Sequence, residues 1–151
     1  MGAPRTSNCR LAPKRAHYDA LEADELWAFA RRKSRKVRLA HAYCRESGGI
    51  AAFARGKRSL KAARRLRRRV AEAGVACGRF ATDWRRGFLA AFKGGDQKVG
   101  KAYACGMEGN NCRLRRRARR ALRRTRRFSK KILYHLKAFS LAFFFINYGH
   151  V

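Results

Sequence analysis

The chain has 151 residues, of which 39 are Lys or Arg and 9 are Asp or Glu, so its formal net charge is +30 at pH 7. A chain of this length buries roughly 68 to 70% of the surface that its unfolded form exposes, which is enough for one domain with one core. Its hydrophobic content of 46% excludes a wholly disordered basic tail. The surplus of cations predicts a polyanionic partner, and nucleic acid fits best.

Two segments bear on export and membrane insertion. Residues 1–16 are basic and contain Pro4 and Pro13, without the apolar core of a signal peptide. The longest apolar run near residue 141 is far shorter than the ~20 residues of a spanning helix. We therefore expect a cytoplasmic protein without a membrane partner.

The cysteines lack the C-x-x-C spacing of a zinc or redox site, so we expect reduced, mostly buried thiols. They are Cys9, Cys44, Cys77, Cys105 and Cys112.

The N-terminal half of the chain is predicted to begin with strands. We expect an irregular basic lead-in over residues 1–19 and a single domain over residues 20–151. β-like runs at residues 21–29, 36–44 and 50–54 predict an antiparallel meander, with a Ser-Gly-Gly turn before the third run.

A helix should follow the meander. Ser59 is placed to cap it, Leu60, Leu66 and Val70 fall on one stripe, and Gly74 stands where a helix commonly stops. Strands and helices then alternate, and the predicted elements are a strand at 77–83, a helix at 84–92, a turn at 94–96 and a strand at 99–103.

The remainder of the sequence is typical of helices from residue 110 onward. Ten arginines occupy the stretch from Arg113 to Arg127, between apolar residues at helical spacing. A second helix is predicted to start at Ser129 as its N-cap. Its core stripe is predicted to comprise Ile132, Leu136, Phe139, Phe143 and Ile146.

The few Asp and Glu residues are considered one by one, because carboxylates in so basic a chain are candidates for a metal site. Asp24 lies in the middle of a predicted strand, where an acid is unfavourable unless something compensates it. Period-2 alternation puts Glu22 on the face of Asp24 and Glu25 on the opposite face, so Glu25 stays open as the inward acid.

Asp83 and Glu108 are the other candidates. Asp83 ends a predicted strand, an edge where α/β sheets collect functional groups, and the alternative is that it caps the following helix. Glu108 shares a helix face with Asn111 and Arg115, at i, i+3 and i+7, or it could simply meet the positive end of a helix dipole.

Several short motifs together resemble the transposases of the insertion sequence 1 family. They are Ala-Asp-Glu-Leu-Trp at 23–27, Thr-Asp-Trp at 82–84, residues 108–115 and Phe-Ser-Lys-Lys at 128–131, in a match that runs from about residue 17 to residue 151. The spacing also agrees, with 24 residues between Asp83 and Glu108. The resemblance implies an α/β, RNase H-like fold, with a mixed sheet of about five strands, flanking helices and a helical, arginine-rich C-terminal part.

The same resemblance implies a DDE-type enzyme that cleaves and transfers strands of double-stranded DNA. Asp24, Asp83 and Glu108 would hold two Mg²⁺ or Mn²⁺ ions, a donor set suited to in-line phosphoryl transfer. DNA contacts would come from Asn111, Arg115, Arg116, Arg119, Arg120, Arg123 and Arg124. We expect a homo-oligomer on DNA, and an upstream zinc-binding and helix-turn-helix region on another or a fused chain.

Other functions fit part of the same observations. A non-catalytic basic protein of ribosomal or nucleoid type would explain the composition, and a decayed, inactive transposase copy would explain departures from the family pattern. One such departure is Arg38, which interrupts the second predicted strand where relatives usually have an apolar or aromatic residue. An unpaired guanidinium buried there would cost several kcal/mol.

Overall fold

The fold is a five-stranded mixed sheet with helices on both faces. The computed structural model describes residues 11, 13–57, 59–82, 86–92, 96–99, 109, 111–112 and 130–149. In chain order the elements are β1 (His17–Phe29), β2 (Lys36–Tyr43), β3 (Ile50–Arg55), α1 (Leu60–Glu72), β4 (Ala76–Thr82), α2 (Arg86–Phe92), β5 (Asp96–Val99) and α3 (Ile132–Tyr148).

The strands lie in the order β3-β2-β1-β4-β5. β1 runs antiparallel to β2, and β2 antiparallel to β3, so the predicted meander is confirmed. β4 joins the other edge of β1 in parallel, and β5 joins β4 in parallel. This arrangement places the middle of β1 beside the C-terminal end of β4, because Ala23 pairs with Thr82.

Two strand boundaries differ from the sequence prediction. β1 begins at His17, inside the segment expected to be irregular, and Tyr18 is buried. β5 begins at Asp96, which was predicted to be a turn residue, because Asp96 pairs with Arg79 of β4. Backbone pairing with a neighbouring strand outweighs the weak strand propensity of Asp, Gln and Lys.

The helix α1 forms as predicted. The Ser59 hydroxyl accepts a hydrogen bond from the Ala62 amide at 3.4 Å, which satisfies one of the free donors of the first turn. At the other end Gly74 has a φ of +70°, the left-handed conformation that glycine adopts without a steric penalty.

The sheet separates two apolar clusters. Leu21 and Ala23 of β1 pack with α1 and α2, whereas Leu26 and Ala28 pack with α3. Successive side chains of a strand point to opposite faces, so the even-numbered residues of this part of β1 face α3.

Helix α3 begins later than predicted. Lys131 precedes it in an extended conformation and makes no side-chain cap, so the expected N-cap at Ser129, which itself lies outside the described residues, is wrong. Leu133 and Tyr134 of the first turn are exposed, and the first fully buried side chain of α3 is His135. The predicted stripe is otherwise present, with Phe139, Phe143 and Ile146 buried.

One polar side chain of α3 also enters the core. Asn147 is fully buried, and its side chain accepts a hydrogen bond from the Ile50 amide at 2.7 Å and donates one to the Ile50 carbonyl at 2.9 Å. These two bonds fasten the end of α3 to the first residue of β3.

The described residues also bear on the expectations about the cysteines and about membrane-spanning helices. Cys44, Cys77 and Cys112 are free thiols, but only Cys44 is buried, so the prediction of mostly buried thiols is not met within this set. Cys77 is half-buried, and this partial burial raises the pKa of its thiol. No helix in the described ranges is both long and apolar enough to cross a membrane.

Candidate active site

Asp24 lies in the middle of the central strand. It is half-buried, and as an even-numbered residue of β1 it lies on the face that α3 covers. Its partner across the antiparallel pair is His41 of β2. A carboxylate on a central strand is held rigidly by neighbours on both sides, which suits a site that must position a ligand.

The neighbouring acids have their own partners. Glu22 shares the face of Asp24 but is 4% exposed and accepts a hydrogen bond from the Arg45 guanidinium at 2.7 Å. Glu25 lies on the opposite face, and Arg38 donates a hydrogen bond to it. The sheet thus separates the Glu25 carboxylate from that of Asp24.

The Glu25–Arg38 pair also corrects one expectation about Arg38. The guanidinium is not left without a partner, because it reaches diagonally across β1 and β2 to the Glu25 carboxylate, whose side chain is 4% exposed. The pair fits the sheet because Arg38 is directly opposite Trp27 and Glu25 is two residues from Trp27.

A distant part of the chain reaches Asp24 through Asn111. The Asn111 amide donates a hydrogen bond to Oδ2 of Asp24 at 3.2 Å, across 87 positions of sequence. Asn111 is 8% exposed, and Gly109, Asn111 and Cys112 have helical conformation. The structure therefore brings together two of the predicted site residues.

The remaining predicted site residues lie outside the described residues. They are Asp83, Glu108, Arg115, Arg116, Arg119, Arg120, Arg123 and Arg124. Among the residues that are described, no group of three or more His, Cys, Asp or Glu side chains could hold a metal ion.

His41 is a site neighbour that the sequence reasoning missed. It is fully buried and stacks on Phe143 of α3 with ring centroids 6.0 Å apart. Burial lowers the pKa of His41 to about 4, so the imidazole is neutral at physiological pH. Only the register of β1 against β2 reveals that it lies beside Asp24, and this register depends on the turn between the strands.

The comparison with protein families decides the identity of the chain. A family model described as IS1 transposase matches residues 20–149. The chain belongs to the IS1 transposase family. Membership assigns this IS1-family chain to proteins of DNA transposition, a form of DNA recombination, as the sequence resemblance predicted.

A solved structure supports the fold of this IS1-family chain. The catalytic core domain of BIV integrase in crystal form I superposes with a TM-score of 0.60, at 12% sequence identity, over 87% of this chain and 85% of that chain. At this identity the likeness shows the fold alone, and it confirms the predicted RNase H-like fold. No curated protein sequence matches the IS1-family chain.

Proposed function

We propose that this IS1-family chain cleaves and joins DNA strands by metal-dependent phosphoryl transfer, with Asp24, Asp83 and Glu108 as the acids of its active site. The observation that carries the proposal is the hydrogen bond from Asn111 to Asp24. It connects Asn111, which is three positions after Glu108 in the sequence, to the acid on the central strand.

Chain connectivity supports Asp83 as the second acid. Asp83 follows Thr82 directly, and Thr82 pairs with Ala23, the residue before Asp24. Thr82 and Ala23, the residues that precede the two acids, lie directly opposite each other on neighbouring strands, which are about 4.8 Å apart.

Helical spacing supports Glu108 as the third acid. Glu108 is three positions before Asn111, and residues three apart lie on the same face of a helix. Gly109 and Asn111 both have helical conformation. The proposal therefore assigns Glu108 to the helix face of Asn111, whose amide contacts Asp24.

The donor chemistry suits a divalent cation. Carboxylate oxygens are the ligands that Mg²⁺ and Mn²⁺ prefer, and Asp24 presents a carboxylate on a rigid strand. When bound, two such ions would supply Lewis acidity to the scissile phosphate and stabilise the attacking and leaving oxygens. Asn111 would fix the orientation of the Asp24 carboxylate by holding Oδ2.

The substrate in this proposal is double-stranded DNA, bound in the cytoplasm by a homo-oligomer. Asn111, Arg115, Arg116, Arg119, Arg120, Arg123 and Arg124 are proposed to contact it. Phosphate contacts by these arginines would make binding fall by about 0.9 log units per neutralised phosphate for each decade of salt. Recognition of specific transposon ends is proposed to use an upstream zinc-binding and helix-turn-helix region, on another or a fused chain.

The test is nicking of supercoiled plasmid by the purified chain with Mg²⁺ or Mn²⁺. We expect nicking by the wild-type chain and none above background for Asp24→Asn, Asp83→Ala and Glu108→Gln. Glu46→Gln is a matched control, because Glu46 is an exposed acid of the β2–β3 turn. Nicking by the three acid variants at the wild-type rate would exclude the proposed site.

DNA binding, measured in the same preparations, separates two further outcomes. If the wild-type chain binds DNA in a salt-dependent way and does not nick it, the non-catalytic basic binding protein or the inactive copy becomes the better account. If the acid variants lose DNA binding as well as nicking, their effect is on folding, and the assignment must be tested by metal titration instead.

A further inference from the structure

Helix α1 carries a concentration of positive charge that its packing does not require. Between Lys61 and Arg69 six of nine residues are Lys or Arg. The helix is attached to the sheet by four small or apolar side chains, which are Ala62, Ala63, Leu66 and Val70. Four cations lie on the opposite side of the helix at i, i+3, i+4 and i+7, and we call them the outer row: Lys61, Arg64, Arg65 and Arg68.

This charge is unfavourable for the helix itself. Like charges three or four positions apart on a helix destabilise it by about 0.2 to 0.5 kcal/mol per pair, and the outer row contains several such pairs. Glu72 relieves little of this repulsion, because it contacts Arg68 at 3.5 Å and Arg69 at 3.6 Å, and all three side chains remain at least 31% exposed to solvent. Within the described residues, Lys61 and Arg64 make no ion pair. Attraction between a polyanionic ligand and these cations would offset the repulsion between the cations.

Two arginines of α1 are held in place by the rest of the fold. Arg65 donates a hydrogen bond to the Arg55 carbonyl at 2.8 Å, and Arg67 donates one to the Ala91 carbonyl at 2.9 Å. Each contact uses one nitrogen of a guanidinium that has five N–H donors, so most donors stay available. Restricting the side chains beforehand lowers the entropy that a ligand must remove on binding.

The outer row lies on the far side of the sheet from Asp24. Helix α1 packs against the face with Leu21 and Ala23, and Asp24 lies on the face that α3 covers. A helix with its side chains is about 10 to 12 Å thick, so a phosphate on the outer row stands at least that far from the sheet. DNA bound at α1 is therefore not the segment whose phosphate meets Asp24.

We propose that the outer row of α1 binds the phosphate backbone of duplex DNA at a place separate from the cleavage site. The row extends seven residues, about 10 Å, which corresponds to roughly three phosphates of one strand at 3.4 Å each along the duplex axis. Contacts of this kind fix the position of DNA and read no sequence. The surface would hold flanking DNA or a second duplex while another segment is cut.

This proposal takes DNA as the substrate from the proposed function but does not depend on the acids. The experiment is therefore binding of a fluorescent duplex of about 30 base pairs in EDTA, measured by anisotropy over a series of salt concentrations. The variant Lys61→Gln/Arg64→Gln/Arg68→Gln removes three cations, and glutamine keeps the helix propensity of Lys and Arg. Because three phosphates are then no longer neutralised, we expect the slope of log K against log salt to become shallower by about 2.7.

The matched control removes the same charge elsewhere. Lys14→Gln/Arg15→Gln/Lys137→Gln changes three exposed cations that lie outside α1. We expect its slope to change by well under one unit. Equal changes of slope in the two triple variants would overturn the proposal, because the effect would then be one of net charge.

Two further variants protect the test from misfolding. Arg64→Gln alone should reduce the slope by about 0.9, and Lys61→Arg/Arg64→Lys/Arg68→Lys, which keeps every charge, should bind as the wild type does. A normal slope in Arg64→Gln would contradict the proposal, as would weak binding by the charge-retaining variant. Because no metal is present, none of these results depends on whether the acids catalyse nicking.

Discussion

The hydrogen bonds by which Asn147 attaches α3 to β3 predict a large contribution to the stability of the fold. Replacing Asn147 with Ala removes both hydrogen bonds to Ile50, whose amide and carbonyl are then left in the core. Asn147 and Ile50 are each 0% exposed, so water cannot easily replace the missing side-chain amide.

The magnitude follows from the desolvation of two backbone groups. An unsatisfied buried donor or acceptor costs about 1 to 3 kcal/mol, so the two together predict a loss of roughly 2 to 6 kcal/mol. A domain of this size has a total stability of about 5 to 15 kcal/mol. Asn147→Ala should therefore lower the free energy of unfolding by a large fraction.

Urea denaturation followed by circular dichroism measures this change. Asn147→Asp provides a second reading, because a carboxylate can accept from the Ile50 amide but cannot donate to the Ile50 carbonyl. The loss of stability in Asn147→Asp, relative to the wild type, should be greatest at neutral pH. It should be smaller at about pH 4, where a protonated Asp can donate a hydrogen bond to the Ile50 carbonyl. A loss below about 0.5 kcal/mol in Asn147→Ala would refute the reasoning, since it would mean that water or relaxation replaces both bonds.

Three further predictions concern the surroundings of Asp24. Asn111→Ala should lower the nicking rate by about 10- to 100-fold, since a hydrogen bond to a charged group contributes about 1.5 to 3 kcal/mol. An unchanged nicking rate would show that Asn111 does not position Asp24. Because burial lowers the pKa of His41 to about 4, the unfolded chain binds the proton first as pH falls. The stability that neutral His41 contributes is therefore complete above about pH 6.5 and decreases as the pH falls toward 4. Between about pH 7.5 and about pH 5, this contribution to the free energy of unfolding falls by about 2 kcal/mol. His41→Gln should remove that part of the pH dependence in denaturant titrations, and equal pH dependence in both proteins would contradict it. Finally, Arg38→Met should destabilise the fold by about 3 kcal/mol because it removes the guanidinium that pairs with the buried Glu25 carboxylate. The double variant Glu25→Leu/Arg38→Met should recover most of that loss in thermal unfolding.

The strands and α1 could be predicted from sequence because their signals are local. Alternation of apolar residues in β1 and β2, the Ser59 cap and the Gly74 stop each depend on neighbours within a few positions. β5 was misplaced because its residues have little strand propensity and form a strand only through pairing with β4. The start of α3 was misplaced because the prediction took the best capping residue as the N-cap, whereas the helix begins after Lys131, which makes no side-chain cap.

The candidate site was predicted in part. Alternation placed Asp24 and Glu25 on opposite faces of the sheet. Which helices cover each of these faces was known only from the structure, where α1 and α2 cover one face and α3 covers the other. The Glu25–Arg38 pair and the position of His41 needed the register of β1 against β2. The contact of Asn111 with Asp24 joins residues 87 positions apart, and no local pattern contains that information.

The bonds between Asn147 and Ile50 also have a consequence for how the chain folds during synthesis. They join residues 97 positions apart, and the helix that covers the Asp24 face begins only at residue 132. Strands β1 to β3 and α1 can associate on the ribosome while the other face of the sheet is still uncovered. Contacts between residues that are near in sequence form first, because contacts between distant residues require the entropically unfavourable closure of a long loop. A nascent chain of this protein therefore exposes Leu26, Leu39 and Ile50 to solvent and chaperones until α3 has emerged.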